Sequence, residues 1–340
     1  MSTSERPGIY TSYEVSGVVR ASGGGSAVGL AAAATSGTAG AVVTITDYGA
    51  ALAAFGGGNL CALAKILLEN GAPELRCCRV VNSNYTTAFT ALMAETNLRF
   101  MVCDSHDAAV HTQMKTAITG GDEKSKYRIG VVESDNSSRA SLVAAAAALN
   151  CERMVLVSHR ETDGTTGAVA AAVCGVMASE SDPAVPLNGA ALRGLGAIGS
   201  NFTDADLNLL VRGGVTPVET ADGGISIVRG ITSRTTTGGA DDATWREVNT
   251  ILIVDEVIPT IRDALRADFA RAKNNAQTRG AIRTRVVIEL ENYLAREIID
   301  SYGSVTAEAS ADDPGVCVVS FDFSVVHGLN IIELSAVITV

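Results

Sequence analysis

Alternation with a period of two marks both ends of the chain. Near the start Ile9, Thr11, Tyr13 and Val15 alternate with polar neighbours up to Val19, and the last residues put Ile332, Leu334, Ala336, Ile338 and Val340 on one face. That period belongs to a strand with one buried face. A strand at a free terminus carries unpaired backbone N–H and C=O groups, and a long apolar edge recruits another chain. The ends therefore point to a polymer, with Ile9, Tyr13, Val15, Ile332, Leu334 and Ile338 on inter-subunit arms. Gly23, Gly24 and Gly25 follow the first arm as a hinge that lets it reach away from its own domain.

Between the ends the pattern alternates between strand and helix. Residues 41–48 (AVVTITDY) read as a β-branched strand ending at Asp47, followed by helical runs over 50–55 and 60–69 that Asn70-Gly71 stops. Strand-like segments at 76–81, 100–104, 127–133 and 153–158 are separated by helix-like segments such as 107–118 and 138–149. Apolar strands interleaved with helices predict a Rossmann-like α/β sandwich, a largely parallel sheet covered on both faces. From 181 to 239 Gly, Pro, Asn and Thr dominate, with short strands at 214–218 and 225–230, and the stretch reads as the crossing into a second domain.

The last third predicts long helices packed on a small mixed β-sheet. Ile251, Val254, Ile258, Ile261 and Leu265 recur at spacings of three and four, with Asp241, Asp242 and Thr244 available as caps and Pro259 as a kink. A second helix carries Ile282, Val286, Leu290, Leu294 and Ile298 until Tyr302-Gly303. Cys317, Val319, Phe321, Phe323 and Val325 then share one face of a strand, and His327-Gly328 leads into the terminal one. The expected division is 1–25 for arm and hinge, 26–215 for an α/β domain, 216–328 for a C-terminal domain and 329–340 for the last strand.

Composition narrows the chemistry. A chain of 340 residues with 47% hydrophobic side chains is large enough for two cores. A net charge of -11 opposes nonspecific binding to phosphates, so no direct contact with nucleic acid is expected. No positive stretch precedes an apolar run at the start, and the apolar stretches at 142–149 and 168–178 fall short of the ~20 residues that span a bilayer. Seven irregularly spaced cysteines in a chain of this size read as reduced thiols, which fits folding in a cytoplasm.

Catalytic arrangements are thin. Gly23 to Gly29 (GGGSAVG) follows a strand but lacks the G-x-G-x-x-G spacing of a dinucleotide loop, with Asp47 the only acid near the expected offset. Cys103, Asp104, His106 and His111 do not set two histidines on one helix face, so surface or capping roles fit them better than metal binding. Ser105-His106-Asp107 is a run in sequence, whereas a catalytic triad is assembled in space. Cys77-Cys78 reads as strand packing. No cofactor and no catalytic residue is expected.

One charged stretch stands apart. Arg262, Arg266, Arg271, Lys273, Arg279, Arg283 and Arg285 face only Asp263 and Asp268 across the same residues, a net of +5 in an acidic chain. A solvated helix face with i,i+4 pairs explains it in part. Contact with an acidic partner explains it more sharply, and nucleic acid less well, because no aromatic residues are interleaved to stack bases.

The order of motifs resembles a known family. ERPGIYTSYEVSG, then VTITDYGAALAAFGGGNLCALAKILLENGA, RIGVVES, AVPLNGAALRGL, GGVTPVETADGGISIVRGITS and TWREVNTILIVDEVIPTIRDALR look like the tail sheath protein of contractile phage tails and R-type bacteriocins. Pro7, Gly8, Ile9 and Tyr10, then Phe55 and Gly56, then Gly214, Val215, Gly224, Gly230 and Thr232 occupy the family's positions. The resemblance spans nearly the whole chain. It implies a non-enzymatic subunit of a helical cylinder, with the C-terminal domain on the inner wall and the α/β domain further out. It implies arms that complete sheets in neighbouring subunits, an inner tail tube protein, and baseplate and tail terminator proteins as partners. Assembly in a bacterial cytoplasm into a virion tail or tailocin particle follows, as does contraction from a metastable state, without nucleic-acid contact or membrane insertion. With that geometry, Arg262, Arg266, Arg271 and Lys273 become the expected tube contact. The alternative from the middle sheet alone is a Rossmann-like enzyme binding a nucleotide or small molecule.

Overall fold

The computed structural model describes residues 26–120, 127–135, 138–162, 164–199, 201–221 and 223–330. The N-terminal arm, the hinge at Gly23 to Gly25 and the terminal strand from Ile332 onward lie outside the described residues. In chain order the first part runs β1 (Ala27–Ala33), β2 (Val42–Ile45), α1 (Tyr48–Phe55), α2 (Asn59–Glu69), β3 (Leu75–Val80), α3 (Tyr85–Met93) and β4 (Leu98–Cys103). Then come α4 (Ala108–Thr119), β5 (Ile129–Glu133), α5 (Arg139–Leu149), β6 (Met154–Val157), α6 (Ala168–Ser179), β7 (Ala191–Leu192), α7 (Asp204–Arg212) and β8 (Val215–Thr216). Short strands follow at β9 (Val218–Ala221), β10 (Gly224–Ile227), β11 (Thr236–Thr237) and β12 (Ala240–Asp241). The rest is α8 (Val248–Phe269), α9 (Ala276–Ala295), β13 (Ile299–Tyr302), β14 (Thr306–Ala309), β15 (Cys317–Ser320) and β16 (Phe323–Val325).

Among the described residues the main sheet has the order β2-β3-β1-β4-β5-β6-β8. Every neighbouring pair is parallel except β2 with β3, at the edge. Two apolar clusters cover its two faces. Val28, Leu30 and Ala32 of β1 point to the side of α1, α2 and α6, while Ala27 and Ala31 point to the side of α3, α4 and α5. Cys77 and Cys78 of β3 divide the same way, so their adjacency is the strand's alternation and both are buried free thiols.

β1 itself is the element that the sequence pattern hid. Its seven residues, AVGLAAA, have the weak strand preference of alanine, and the preceding glycines read as a linker. Small side chains suit it because it sits inside the sheet between β3 and β4: a Cβ on Gly29 would lie 3.1 Å from a methyl of Leu98.

The C-terminal third departs from the predicted pattern in three places. The helical stripe extrapolated through Ile298 to Tyr302-Gly303, but α9 ends at Ala295 because Glu297 takes a left-handed φ of 58°. The Ile298 N–H folds back to the Tyr293 carbonyl at 3.0 Å, leaving Ile298 buried outside the helix and starting β13. The apolar run at 317–325 is not one strand. It breaks at Phe321-Asp322, so β15 pairs with β14 and β16 with β13, and the Asp322 carbonyl accepts from the Gly303 N–H at 3.0 Å. Asp241, Asp242 and Thr244 do not cap α8, whose N-cap is Glu247; Asp242 instead accepts from the Thr244 N–H at 2.9 Å and from the Thr237 hydroxyl, closing the β11–β12 hairpin.

The cores divide within α8. Val248, Ile251 and Leu252 belong to the α/β core, whereas Ile253, Val257 and Ile261 join Val286, Leu290, Tyr293, Ile298 and Ile299 in a third cluster. Among the described residues no helix is long and apolar enough to cross a membrane.

Helices α2 and α6 pack closely at Gly175, where an added Cβ would stand 2.7 Å from Cβ of Asn70, the residue that ends α2, and 2.9 Å from the Leu67 carbonyl oxygen. Alanine gains ~1 kcal/mol in helix propensity, but backbone cannot yield here as a side chain can. Gly175→Ala is expected to lower stability by about 1–3 kcal/mol in urea unfolding. Gly280→Ala, with nothing within 4 Å of its added Cβ, is expected to raise it slightly.

Candidate functional site

In a doubly wound sheet the place for a ligand is the crevice beyond the carboxyl ends of the strands, where the strand order reverses. Here β1 lies between β3 and β4, so that crevice opens at Ala33 and Asp104. Asp104 fills it. One carboxylate oxygen accepts the Ala33 N–H at 2.8 Å and the Asn59 amide at 3.3 Å, and the other accepts the Tyr85 hydroxyl at 2.7 Å.

Next to it, Glu133 at the end of β5 takes the N-terminus of α6. Gly167 is that helix's N-cap and has no side chain to accept the orphan N–H groups. The Glu133 carboxylate, whose side chain is 0% exposed, accepts them from Gly167 at 2.6 Å, Val169 at 2.9 Å and Ala170 at 3.2 Å, and meets His106 Nε2 at 2.6 Å. Helix N-termini attract anions, and this one already holds its own. A nucleotide phosphate brought to this crevice would face two carboxylates. The sequence signal was there in hindsight of geometry: an acid closing a strand, then an apolar helix that begins with glycine.

The histidines do not gather into a site. His106 reaches Glu133, and His111 turns the other way to the Ser105 carbonyl at 2.8 Å, buried rather than at the surface. Among the described residues no group of three or more His, Cys, Asp or Glu could hold a metal ion.

The basic stretch is gathered at the α8–α9 turn. Arg266, Arg271 and Lys273 are exposed and make no ion pair among the described residues. The turn that carries them is braced: the Asn275 side chain caps α9 by accepting the Thr278 N–H at 2.9 Å, and the Asn274 amide donates to the Pro314 and Val316 carbonyls at 2.8 and 3.1 Å. Arg285 is neutralised by Asp268 and Glu289 at 3.1 and 2.9 Å. Arg262 behaves differently from the other three. It is half-buried, 3.3 Å from Asp263 and with its guanidinium 5.5 Å from the centre of the Tyr127 ring.

Beside this turn lies an unfinished sheet. Among the described residues β14 pairs only with β15, and β13 only with β16. The free edge of β14, Thr306 to Ala309, borders a groove of about 460 Å³ whose other wall is Arg279, Gly280 and Arg283 of α9. A free strand edge is a template for an incoming strand.

Comparison with known proteins agrees with this outline. Residues 79–233 match the phage tail sheath protein central domain, and residues 240–339 match the phage tail sheath C-terminal domain, together about three quarters of the chain. The chain belongs to the phage tail sheath family. The family is structural, so the carboxylate-filled crevice of this sheath chain is packing rather than an active site. Among curated proteins none matches the sheath chain by sequence. Solved structures do match in fold. The sheath tail protein of Desulfitobacterium hafniense is 12% identical with a TM-score of 0.69, over 94% of this chain and 100% of that one. The baseplate structure of the anti-feeding prophage contains a chain 16% identical with a TM-score of 0.77, over 99% and 100%. The contracted sheath complex of the PVC extracellular contractile injection system is 16% identical with a TM-score of 0.71, over 100% and 99%.

The buried histidine has a measurable consequence. Burial lowers the His111 pKa below its ordinary 6.5, with the Ser105 carbonyl opposing that shift. The unfolded chain therefore takes up a proton that the folded chain refuses, and stability falls as pH drops below about 6.5. Urea unfolding between pH 5 and 7.5 is expected to show a smaller loss toward acid in His111→Gln than in the parent chain.

Proposed function

We propose that this sheath protein polymerises as a helical cylinder around an inner tube and contracts from a metastable extended arrangement to drive the tube through a target envelope. The observation that carries this reading is the pairing of two features in one place: unfinished β-sheet edges and an exposed, unpaired basic turn. The free edges of β13, β14 and β16 accept strands from neighbouring subunits, supplied by the arms at 9–19 and 329–340. Each such strand contributes several intermolecular ladder bonds of ~1 kcal/mol net, so the mesh holds while subunits move. Gly23 to Gly25 absorb the rotation between the arrangements. The solved structures that resemble the chain include contracted sheaths, which supports contraction as the shared behaviour.

The α8–α9 turn faces the tube, and the α/β part lies further out. The contact drawn from the sequence as Arg262, Arg266, Arg271 and Lys273 narrows to the last three, since Arg262 is engaged with Tyr127. The tube surface that fits them is acidic, and baseplate and terminator proteins close the two ends. Contraction draws its energy from newly buried surface between subunits, so a nucleotide is not required.

Arg266→Glu, Arg271→Glu and Lys273→Glu together are expected to prevent assembly around the tube at 50 mM salt while leaving the subunit folded by circular dichroism. Assembly of the parent around the tube is expected to weaken as salt rises, because exposed charges are screened within ~10 Å at 0.1 M. Electron microscopy showing filled sheaths from the triple variant at normal yield would remove the turn from the tube interface. One substitution alone does not decide the matter, since single exposed charges are weak.

A further inference from the structure

Helix α8 has two apolar stripes on opposite faces. At ~100° per residue, Val248, Ile251 and Leu252 share one stripe, while Ile253, Val257 and Ile261 share the other. Continuing the first stripe along the helix brings round Asp255 and then Arg262. Both meet the α/β body, at residues of the loops and strand ends before β5 and β6.

Arg153 grips Asp255 with both arms of its guanidinium, at 2.6 and 2.7 Å, and the Asp255 side chain is 0% exposed. Burial pushes the Asp255 carboxyl up, and Arg153 opposes that. The ring of Tyr127 lies 5.8 Å from the Arg153 guanidinium and 5.5 Å from that of Arg262, so it sits between a cation from each body. Arg99 adds a hydrogen bond to the Leu252 carbonyl at 2.9 Å and a 3.6 Å ion pair with Glu256. Pro259, one turn past Asp255, has no N–H to give the Asp255 carbonyl. The helix is thus weakest internally where its grip on the α/β body is strongest.

We propose that Arg153, Asp255, Tyr127 and Arg262 form a joint that holds the α/β body and the α8–α9 pair as one rigid unit and sets the angle at which the α8–α9 turn is presented. Apolar burial alone would hold the two together and limit their rotation without fixing the angle closely. A bidentate arginine–carboxylate pair fixes a plane and a direction as well as a distance. The coupling is a property of the free subunit, whereas its use in aiming Arg266, Arg271 and Lys273 rests on the tube-facing reading above.

Hydrogen exchange followed by mass spectrometry on the full-length chain tests the joint without any tube. Arg153→Met leaves Asp255 buried and unpaired, so amides from 253 to 330 are expected to exchange at least tenfold faster while β3 to β6 keep the parent's rates. The melting temperature is expected to fall by roughly 5–10 °C. Arg153→Met combined with Asp255→Leu is expected to recover most of that melting temperature yet keep the faster exchange in 253–330, which a purely stabilising pair would not do. If Arg153→Met does not fold, Tyr127→Ala and Arg262→Ala carry the test, with an expected threefold or greater rise in exchange confined to 256–295. Exchange in these variants that stays at the parent's rate, or rises equally in the main sheet, overturns the joint. Because the readout needs no inner tube, failure here leaves the tube contact standing, and failure of the tube contact leaves the joint standing.

Discussion

Helix α8 is shared by two hydrophobic cores, and the shape of the whole subunit depends on that sharing. Val248, Ile251 and Leu252 belong to the same apolar cluster as side chains of α2, α6, β9 and β10, and the residues just beyond them are buried against α9. A helix committed on both faces cannot rotate about its axis without exposing one stripe. The position of the α8–α9 turn relative to the main sheet is therefore fixed by apolar burial first and refined by the Arg153–Asp255 pair. Everything proposed for the basic turn and the open β14 edge inherits that placement.

The same economy appears at the carboxyl end of the main sheet. This architecture offers a ligand crevice and a helix N-terminus ready for an anion, and many proteins use both. Here the chain supplies its own anions. Glu133 completes α6, a helix with ten buried residues and no polar face that could have capped itself. Asp104 ties β1 to β4 and α3 across the point where the strand order reverses. A fold that elsewhere serves chemistry is closed into a solid block, which suits a structural subunit.

Much of this was legible in the sequence because burial on two faces leaves a strong mark. The apolar runs at β3, β4, β5 and β6 and the three-four spacing in α8 come directly from that constraint. β1 was not legible, since alanine fits a crowded central strand without preferring one. The end of α9 was missed because Ile298 keeps the helical apolar period while Glu297 turns the backbone, and periodicity carries no record of φ. The split of residues 317–325 between two sheets was hidden for a related reason: alternation reports which face is buried, not which strand lies alongside. At the site, the charge count found the exposed row at Arg266, Arg271 and Lys273. It could not separate Arg262, whose role depends on Tyr127, a residue far away in sequence.

The central claim is that subunits are joined through their terminal strands into a hollow cylinder. Negative-stain electron microscopy of the purified full-length chain and of a form lacking residues 1–20 tests it most directly. Long hollow tubes from the full chain, and folded but unassembled subunits from the shortened one, are what the account predicts. Compact oligomers from the full chain, or tubes at normal yield without the first 20 residues, would contradict it.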